Sequence, residues 1–349
     1  MHLKAPFRGL GVKSPLGDLG VNIALIITVL FSACEKEIKF SGDEVKTQLV
    51  LNGLLTPDSA VKINLTESRF FLDDGAFKNI DNATVILWKT GNKIEDLSNT
   101  GGGNYSGTYI PNVDDNLRIT VSCEGFDPVE CSTGIVASTP IISVDTMNFN
   151  EDRGYFDYIF WEDGTGYADS SSYYVNANLE MYITFKDPIG VSNYYTFKVY
   201  MKYYYSNGDS AYLPFIFTSD DLVFQRGNNG IGFLGDVNYF KSTLFNDELF
   251  DGKEYKLKMR AANRDDIYVG KNPINPDKAY QEPVGKEIWV ELQSLSYEYY
   301  MYLKTCEAQS KMSNLVESFS EPVQIYTNIT GGIGILGSYS SSVFTISLK

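Results

Sequence analysis

Tyr194-Tyr195-Thr196-Phe197-Lys198-Val199-Tyr200-Met201-Lys202-Tyr203-Tyr204 decides the fold class. Read with period two, it places Tyr195, Phe197, Val199, Met201 and Tyr203 on one side. Tyr194, Lys198, Tyr200, Lys202 and Tyr204 fall on the other. The first row is a core face. The second, tyrosines beside lysines, is a solvated face and a candidate contact surface, because exposed rings make rigid anchors. Such a stretch is an antiparallel strand with one side buried.

The same alternation runs outward in both directions. Upstream, Val61, Ile63 and Leu65 alternate, as do Thr84, Ile86 and Trp88, and then Leu117, Ile119 and Val121, with Gly, Asn, Asp and Pro between the runs. About seven runs of this kind over residues 47–137 make one sandwich-sized domain. Gly101-Gly102-Gly103-Asn104 reads as a turn within it, and Ala137-Ser138-Thr139-Pro140 as its boundary. Residues 138–349 form a larger, Tyr- and Phe-rich region with longer strands at 179–186 and 255–262. Long loops are expected at 154–172 and 226–236. One segment departs from period two. Leu292, Leu295, Tyr299, Tyr302 and Cys306 recur at helical steps, which predicts a single substantial helix over residues 296–311, packed on the sheet through that face. The expectation is a mainly β protein of two antiparallel sandwich-type domains, the second carrying one packed helix.

Ahead of the strands stands Val29-Leu30-Phe31-Ser32-Ala33-Cys34-Glu35-Lys36-Glu37. The apolar run ending at Phe31 is too short to span a bilayer, and Lys4, Arg8 and Lys13 precede it. Small residues before a cysteine read as a lipoprotein signal over residues 1–33, with Cys34 becoming the lipidated first residue. An ordinary secretory signal or a buried helix is the competing reading. Acyl chains anchor a protein because each buried methylene contributes roughly 0.8 kcal/mol. Residues 34–46 are charged and read as a tether. Glu35, Lys36 and Glu37 resemble the export tag that sends lipoproteins to the cell surface, against the plainer reading of a solvated linker.

Removal of the signal takes His2, the chain's one histidine, with it. A Ser-His-Asp triad, a Cys-His pair and a histidine-ligated zinc site are then excluded. No cofactor, no metal ligand set and no catalytic residue is expected. The formal charge of −15 disfavours nucleic acid as a partner. Doublets Asp73-Asp74, Asp114-Asp115, Asp220-Asp221 and Asp265-Asp266 read as solvated turns rather than calcium loops, since none has EF-hand spacing. Cys123 and Cys131 flank a turn-rich stretch and are either a hairpin-spanning disulfide or two separate buried thiols. Cys306 is expected as a buried free thiol. Gly332-Ile333-Gly334-Ile335-Leu336-Gly337 matches the dinucleotide pattern but lacks the helix that must follow, so a bulge or bend feeding a last strand at 343–348 is the better account. Residues 154–172 hold Tyr155, Tyr158, Trp161 and Tyr167 beside acids, a candidate contact surface.

Several stretches together resemble the Bacteroidota surface lipoproteins of domain-of-unknown-function family 4249. They are Leu49-Val50-Leu51-Asn52-Gly53-Leu54-Leu55 with Pro57-Asp58-Ser59, Ile183-Thr184-Phe185 with Asp187-Pro188 and Asn193-Tyr194-Tyr195, Leu244-Phe245-Asn246-Asp247-Glu248-Leu249-Phe250-Asp251-Gly252-Lys253, and Tyr326-Thr327-Asn328-Ile329-Thr330-Gly331-Gly332. The resemblance implies an outer-membrane lipoprotein working beside a TonB-dependent barrel; it supplies no catalytic residue. The first domain also resembles the transthyretin-like or carboxypeptidase-regulatory sandwich. The functional expectation is a surface-facing, non-enzymatic accessory or binding subunit. The alternatives are a structural subunit of a surface assembly or secretion machine, and a glycosidase using two carboxylates.

Overall fold

The computed structural model describes residues 46–70, 75–162, 165–206, 208, 210–219, 221–225, 243–268, 284–315 and 323–348. The signal, Cys34, the tag at Glu35, Lys36 and Glu37, Asp73-Asp74 and residues 226–236 lie outside the described residues.

The protein is mainly β. Seven strands fill the first part: β1 (Leu49–Leu55), β2 (Lys62–Glu67), β3 (Thr84–Lys89), β4 (Asn92–Gly101), β5 (Asn104–Ser106), β6 (Asn116–Ser122) and β7 (Val129–Gly134). Their alternate residues, among them Leu51, Leu65, Leu87, Leu117, Ile119 and Val129, enclose one core. Gly101, Gly102 and Gly103 all have positive φ, which explains three glycines at the β4–β5 turn. The second part holds β8 (Ile141–Glu162), β9 (Thr165–Lys186), β10 (Tyr194–Tyr204), β11 (Ser210–Pro214), β12 (Ile216–Thr218), the short helix α1 (Leu222–Gln225), β13 (Leu244–Asn246), β14 (Glu254–Tyr268), β15 (Gly285–Leu295), the helix α2 (Tyr297–Leu315) and β16 (Ile333–Leu348). Sheet β12-β14-β9-β8 faces β10 and β15 across a second, aromatic core. Tyr195, Phe197, Val199, Met201 and Tyr203 are all buried in it, as their alternation predicts.

The two cores are joined by a shared strand. β16 runs parallel to β1, pairing Val50 with Ile333 and Leu55 with Ser338. It then continues antiparallel to β15, Leu295 opposite Tyr339. One strand order therefore runs β11-β10-β15-β16-β1-β2-β5-β4-β3-β6-β7. Leu336 enters the first core, while Ile346 and Leu348 pack on the second. The expected boundary is likewise no free linker. Thr139 is buried; its N–H donates to Ser294 Oγ (3.2 Å) and its hydroxyl meets Tyr195 OH (3.3 Å). Ser338 and Ser340 donate to the carbonyls of Gly134 and Val136.

Several expectations are corrected. The last strand begins at Ile333, not near 343, because Gly334 (φ 116°) brings its backbone against Leu51 O, where a Cβ would collide. Leu292 and Leu295 belong to β15, so the helix begins after them. Among its residues of described burial, Tyr300 is the most buried, beside Leu295 and Leu244. Ser296 caps it, Oγ accepting from Tyr299 N–H (3.3 Å), and ties it to β16 by accepting from Ser338 N–H (3.1 Å). The stretch expected as a loop at 154–172 is two arms of the β8–β9 hairpin, Phe160 opposite Tyr167 and Glu162 opposite Thr165. Tyr, Phe, Ile and Trp favour extended backbone. Asp265 and Asp266 are in β14 rather than in a loop. Cys123 and Cys131 are separate thiols. Register places Cys131 opposite Ile119, four residues from the position a cross-strand bridge to Cys123 needs. Burial pushes the Cys131 thiol up to about 12. Cys306 is free but half-buried.

Candidate functional site

The outer row of β10 is the first candidate. Lys202 stands at the centre of three rings, its ammonium 4.9 Å from Tyr204, 5.0 Å from Tyr212 and 4.7 Å from Trp289. β11 and β15 flank β10, so strand pairing alone brings Tyr212 and Trp289 to either side of Lys202. Glu287 Oε2 locks the group, accepting from Tyr204 OH (2.6 Å) and Trp289 Nε1 (3.1 Å). These two donors hold the Glu287 carboxyl below its ordinary value. Tyr212 is 51% exposed. The arrangement is a rigid aromatic platform with a cation at its centre, suited to protein contact.

The second candidate is acidic. Asp187, Asp247 and Asp251 converge, one carboxylate oxygen from each lying within 4.8 Å of the others. Asp187 follows β9; the other two sit in the loop after β13. Tyr195 OH donates to Asp187 Oδ1 (2.5 Å) and Gly252 N–H to Oδ2 (2.9 Å). Asn193 N–H donates to Asp247 Oδ2 (2.8 Å), and Gly190 N–H to Asp251 Oδ1 (2.9 Å). Burial, with Asp247 and Asp251 adding to it, raises the Asp187 carboxyl despite Tyr195 and Gly252. Hard oxygens in this number suit a calcium-like ion in kind, but fall short of the six to eight such an ion takes.

Spacing does not foreshadow this convergence, since Asp187 comes from one loop and Asp247 and Asp251 from another. The one available signal was the set of family stretches. Asp187, Asn193, Tyr195, Asp247, Asp251 and Gly252 all lie in them, and their role here is to lock the second core. Asn328 does the same elsewhere, its side chain accepting from Leu336 N–H (3.0 Å) and donating to Leu336 O (2.8 Å). Among the doublets, Asp115 is no solvated turn. It is buried against Lys89 (2.6 Å) and accepts from Tyr109 OH (2.6 Å). Asp221 caps α1, accepting from Val223 N–H (3.2 Å). Of the aromatic residues proposed from sequence, Tyr155, Tyr158 and Trp161 have their backbones in β8 and Tyr167 in β9. Their side chains lie outside the described residues, so the structure neither joins them to nor separates them from the Lys202 platform.

The chain belongs to the family described as "Domain of unknown function (DUF4249)", whose model matches residues 35–345. No curated protein matches it in sequence. One solved structure it is similar to is described as "Structural basis for the promiscuous specificity of the carbohydrate-binding modules from the beta-sandwich super family". Identity to it is 7%, coverage is 64% of this chain and 94% of that one, and the TM-score is 0.18. A likeness of that size carries nothing about ligand or partner. Neither finding bears on the transthyretin-like resemblance of residues 47–137.

Proposed function

We propose that the protein is a non-enzymatic binding subunit, lipid-anchored through Cys34 on the outer face of the outer membrane, that docks on a TonB-dependent barrel. The observation supporting the docking role is the Lys202 platform. Tyr204, Tyr212 and Trp289 are held by a sheet and by Glu287, so little side-chain entropy is lost on contact. The anchor rests on the signal before Cys34 and the side of the membrane on Glu35, Lys36 and Glu37. The acid cluster lends no support to a carboxylate glycosidase, because Asp187 is 2% exposed and faces Tyr195 and Gly252 rather than a sugar.

The test is recovery of partners from detergent-solubilised membranes, comparing the natural protein with a Tyr212→Ala, Trp289→Ala double variant. The barrel should travel with the natural protein and be lost from the variant. Undiminished recovery would move the contact off this face, and recovery of a secretion machine would favour the structural-subunit reading. In the same cells, Cys34→Ala should leave the membrane fraction or remain uncleaved, and added protease should remove the natural protein from intact cells.

A further inference from the structure

A second surface, on the other core, has a different chemistry. Helix α2 lies across β16 at close quarters. Gly337 makes this possible, since a Cβ there would stand 2.7 Å from Tyr299 Cβ. The helix thus forms a wall along the outer face of β1, β2 and β5, leaving a groove of about 690 Å³. That volume is in the range of small-ligand sites. Tyr299 and Tyr302 belong to the wall, and Asn52, Asn64 and Asn104 to the floor.

The three asparagines are a ladder set by register. Asn52 pairs with Asn64 across β1–β2, and Asn64 with Asn104 across β2–β5. Part of their capacity is spent internally. Asn64 Nδ2 donates to Asn104 Oδ1 (3.1 Å) and to Gly102 O (3.2 Å), while Asn104 Nδ2 donates to Gly101 O (2.9 Å). These bonds fix the Asn64 amide and leave its Oδ1 without a partner among the described residues. The Asn52 amide, with a donor and an acceptor, has no side-chain partner among the described residues, nor has the Lys62 ammonium beside it. No carboxylate among the described residues lines the groove, although the chain has 44 acidic residues.

We infer that this groove binds a saccharide chain, neutral or bearing an occasional carboxylate. Amides that both donate and accept match hydroxyls, which do the same. Tyrosine rings offer apolar faces to pyranose C–H groups. The lone cation, without acids, favours a neutral or weakly anionic ligand over a basic one. The main rival is an extended peptide, which asparagine ladders also bind. Spacing argues against it. Rungs on adjacent strands are about 4.8 Å apart, whereas like-facing groups of an extended peptide repeat at about 6.8 Å, so a peptide falls out of step after one rung. The inference is independent of the lipid anchor and of the Lys202 platform.

The experiment is calorimetric titration of the full mature chain in detergent micelles. The probes are hexasaccharides of β-1,4-glucose, α-1,4-glucose, β-1,4-xylose, β-1,4-mannose and N-acetylglucosamine, with a dodecapeptide of alternating Ser and Thr as the rival. At least one saccharide should bind at millimolar concentration or below. Asn52→Ala should weaken that binding about tenfold, the size of one hydrogen bond. Tyr302→Ala should weaken it by a similar factor or more. Asn52 is exposed, so its variant should keep the natural melting temperature; Lys62→Ala serves as a second exposed variant if it does not. Binding of the peptide alone, saccharide binding untouched by Asn52→Ala and Lys62→Ala, or no binding to any saccharide overturns the inference. A result of either kind leaves partner recovery through the Lys202 platform to be judged on its own.

Discussion

The first core is built mostly from leucine, isoleucine and valine and seals Asp115 against Lys89; the second mixes phenylalanine, tyrosine and methionine with aliphatic residues and seals Asp187 beside two further carboxylates. The first core is wrapped by strands of one continuous sheet and the second lies between two sheets, and they solve the buried-carboxylate problem in opposite ways. In the first, burial pushes the Asp115 carboxyl up, but Lys89, Tyr109 and Asn112 outweigh it and hold the group below its ordinary value. In the second, hydrogen bonds from Tyr195 and Gly252 do not offset burial and like charge, and Asp187 is raised. A partner of opposite charge makes the difference.

The comparison is broken most directly through the cores. Phe185 touches the rings of Tyr195, Phe197, Phe245, Phe250 and Tyr255 at centroid distances from 5.6 to 6.2 Å. Phe185→Ala should cost about 3–5 kcal/mol in urea unfolding. Leu87→Ala in the aliphatic core should cost somewhat less, about 3 kcal/mol. Because β16 serves both cores, each variant should shift one common transition. Two separate transitions, one per variant, would show that the shared strand does not couple them.

Next in size is the coupling strand itself. Gly334→Ala meets both a positive φ and Leu51 O, and should lose about 2–3 kcal/mol in the same unfolding assay. An unchanged midpoint would mean that β16 does not need its tight approach to β1.

The smallest effect, and the sharpest for the comparison, is in pH. Asp115 contributes stability that is present above the ordinary carboxylate value of 3.8 and is lost as pH falls through its lowered folded value. Asp187 has the opposite sign. Its contribution is fully favourable below 3.8 and is lost as pH rises through its raised folded value. Between pH 7 and pH 3, the melting temperature of the natural protein relative to Asp115→Asn should fall, and relative to Asp187→Asn should rise. Parallel trends would end the distinction drawn between the two aspartates.

The strands were legible because their cause is local. Side chains alternate along extended backbone, so the burial of Tyr195, Phe197, Val199, Met201 and Tyr203 follows from their order alone. The place of helix α2 was legible for the same kind of reason, down to Ser296 at its start. Its packing face was not, since Leu292 and Leu295 lie in β15 and Tyr300 is the buried residue among those described. The stretch 154–172 is extended rather than a loop because its ring and β-branched residues favour strand backbone despite its acids and glycines. Of the two readings open for Cys123 and Cys131, the separate thiols are the one found, because register keeps the pair apart and turn geometry, not composition, sets register.

By itself the sequence determined the mainly β character, the inward and outward rows of β10, the place of the helix, and the family stretches. In β3, by contrast, the inward row is Val85 and Leu87 rather than Thr84, Ile86 and Trp88. The tertiary structure alone decided that β16 pairs with β1 across most of the chain's length, which makes a pinned crossing of the apparent boundary at Thr139. It alone brought Tyr212 and Trp289 to Lys202, Asp247 and Asp251 to Asp187, and Tyr302 to the Asn52 ladder. Alternation depends on the geometry of one backbone segment. Which strand lies beside which, and in what register, depends on how whole apolar faces close over a common core, and no spacing in the chain records that choice.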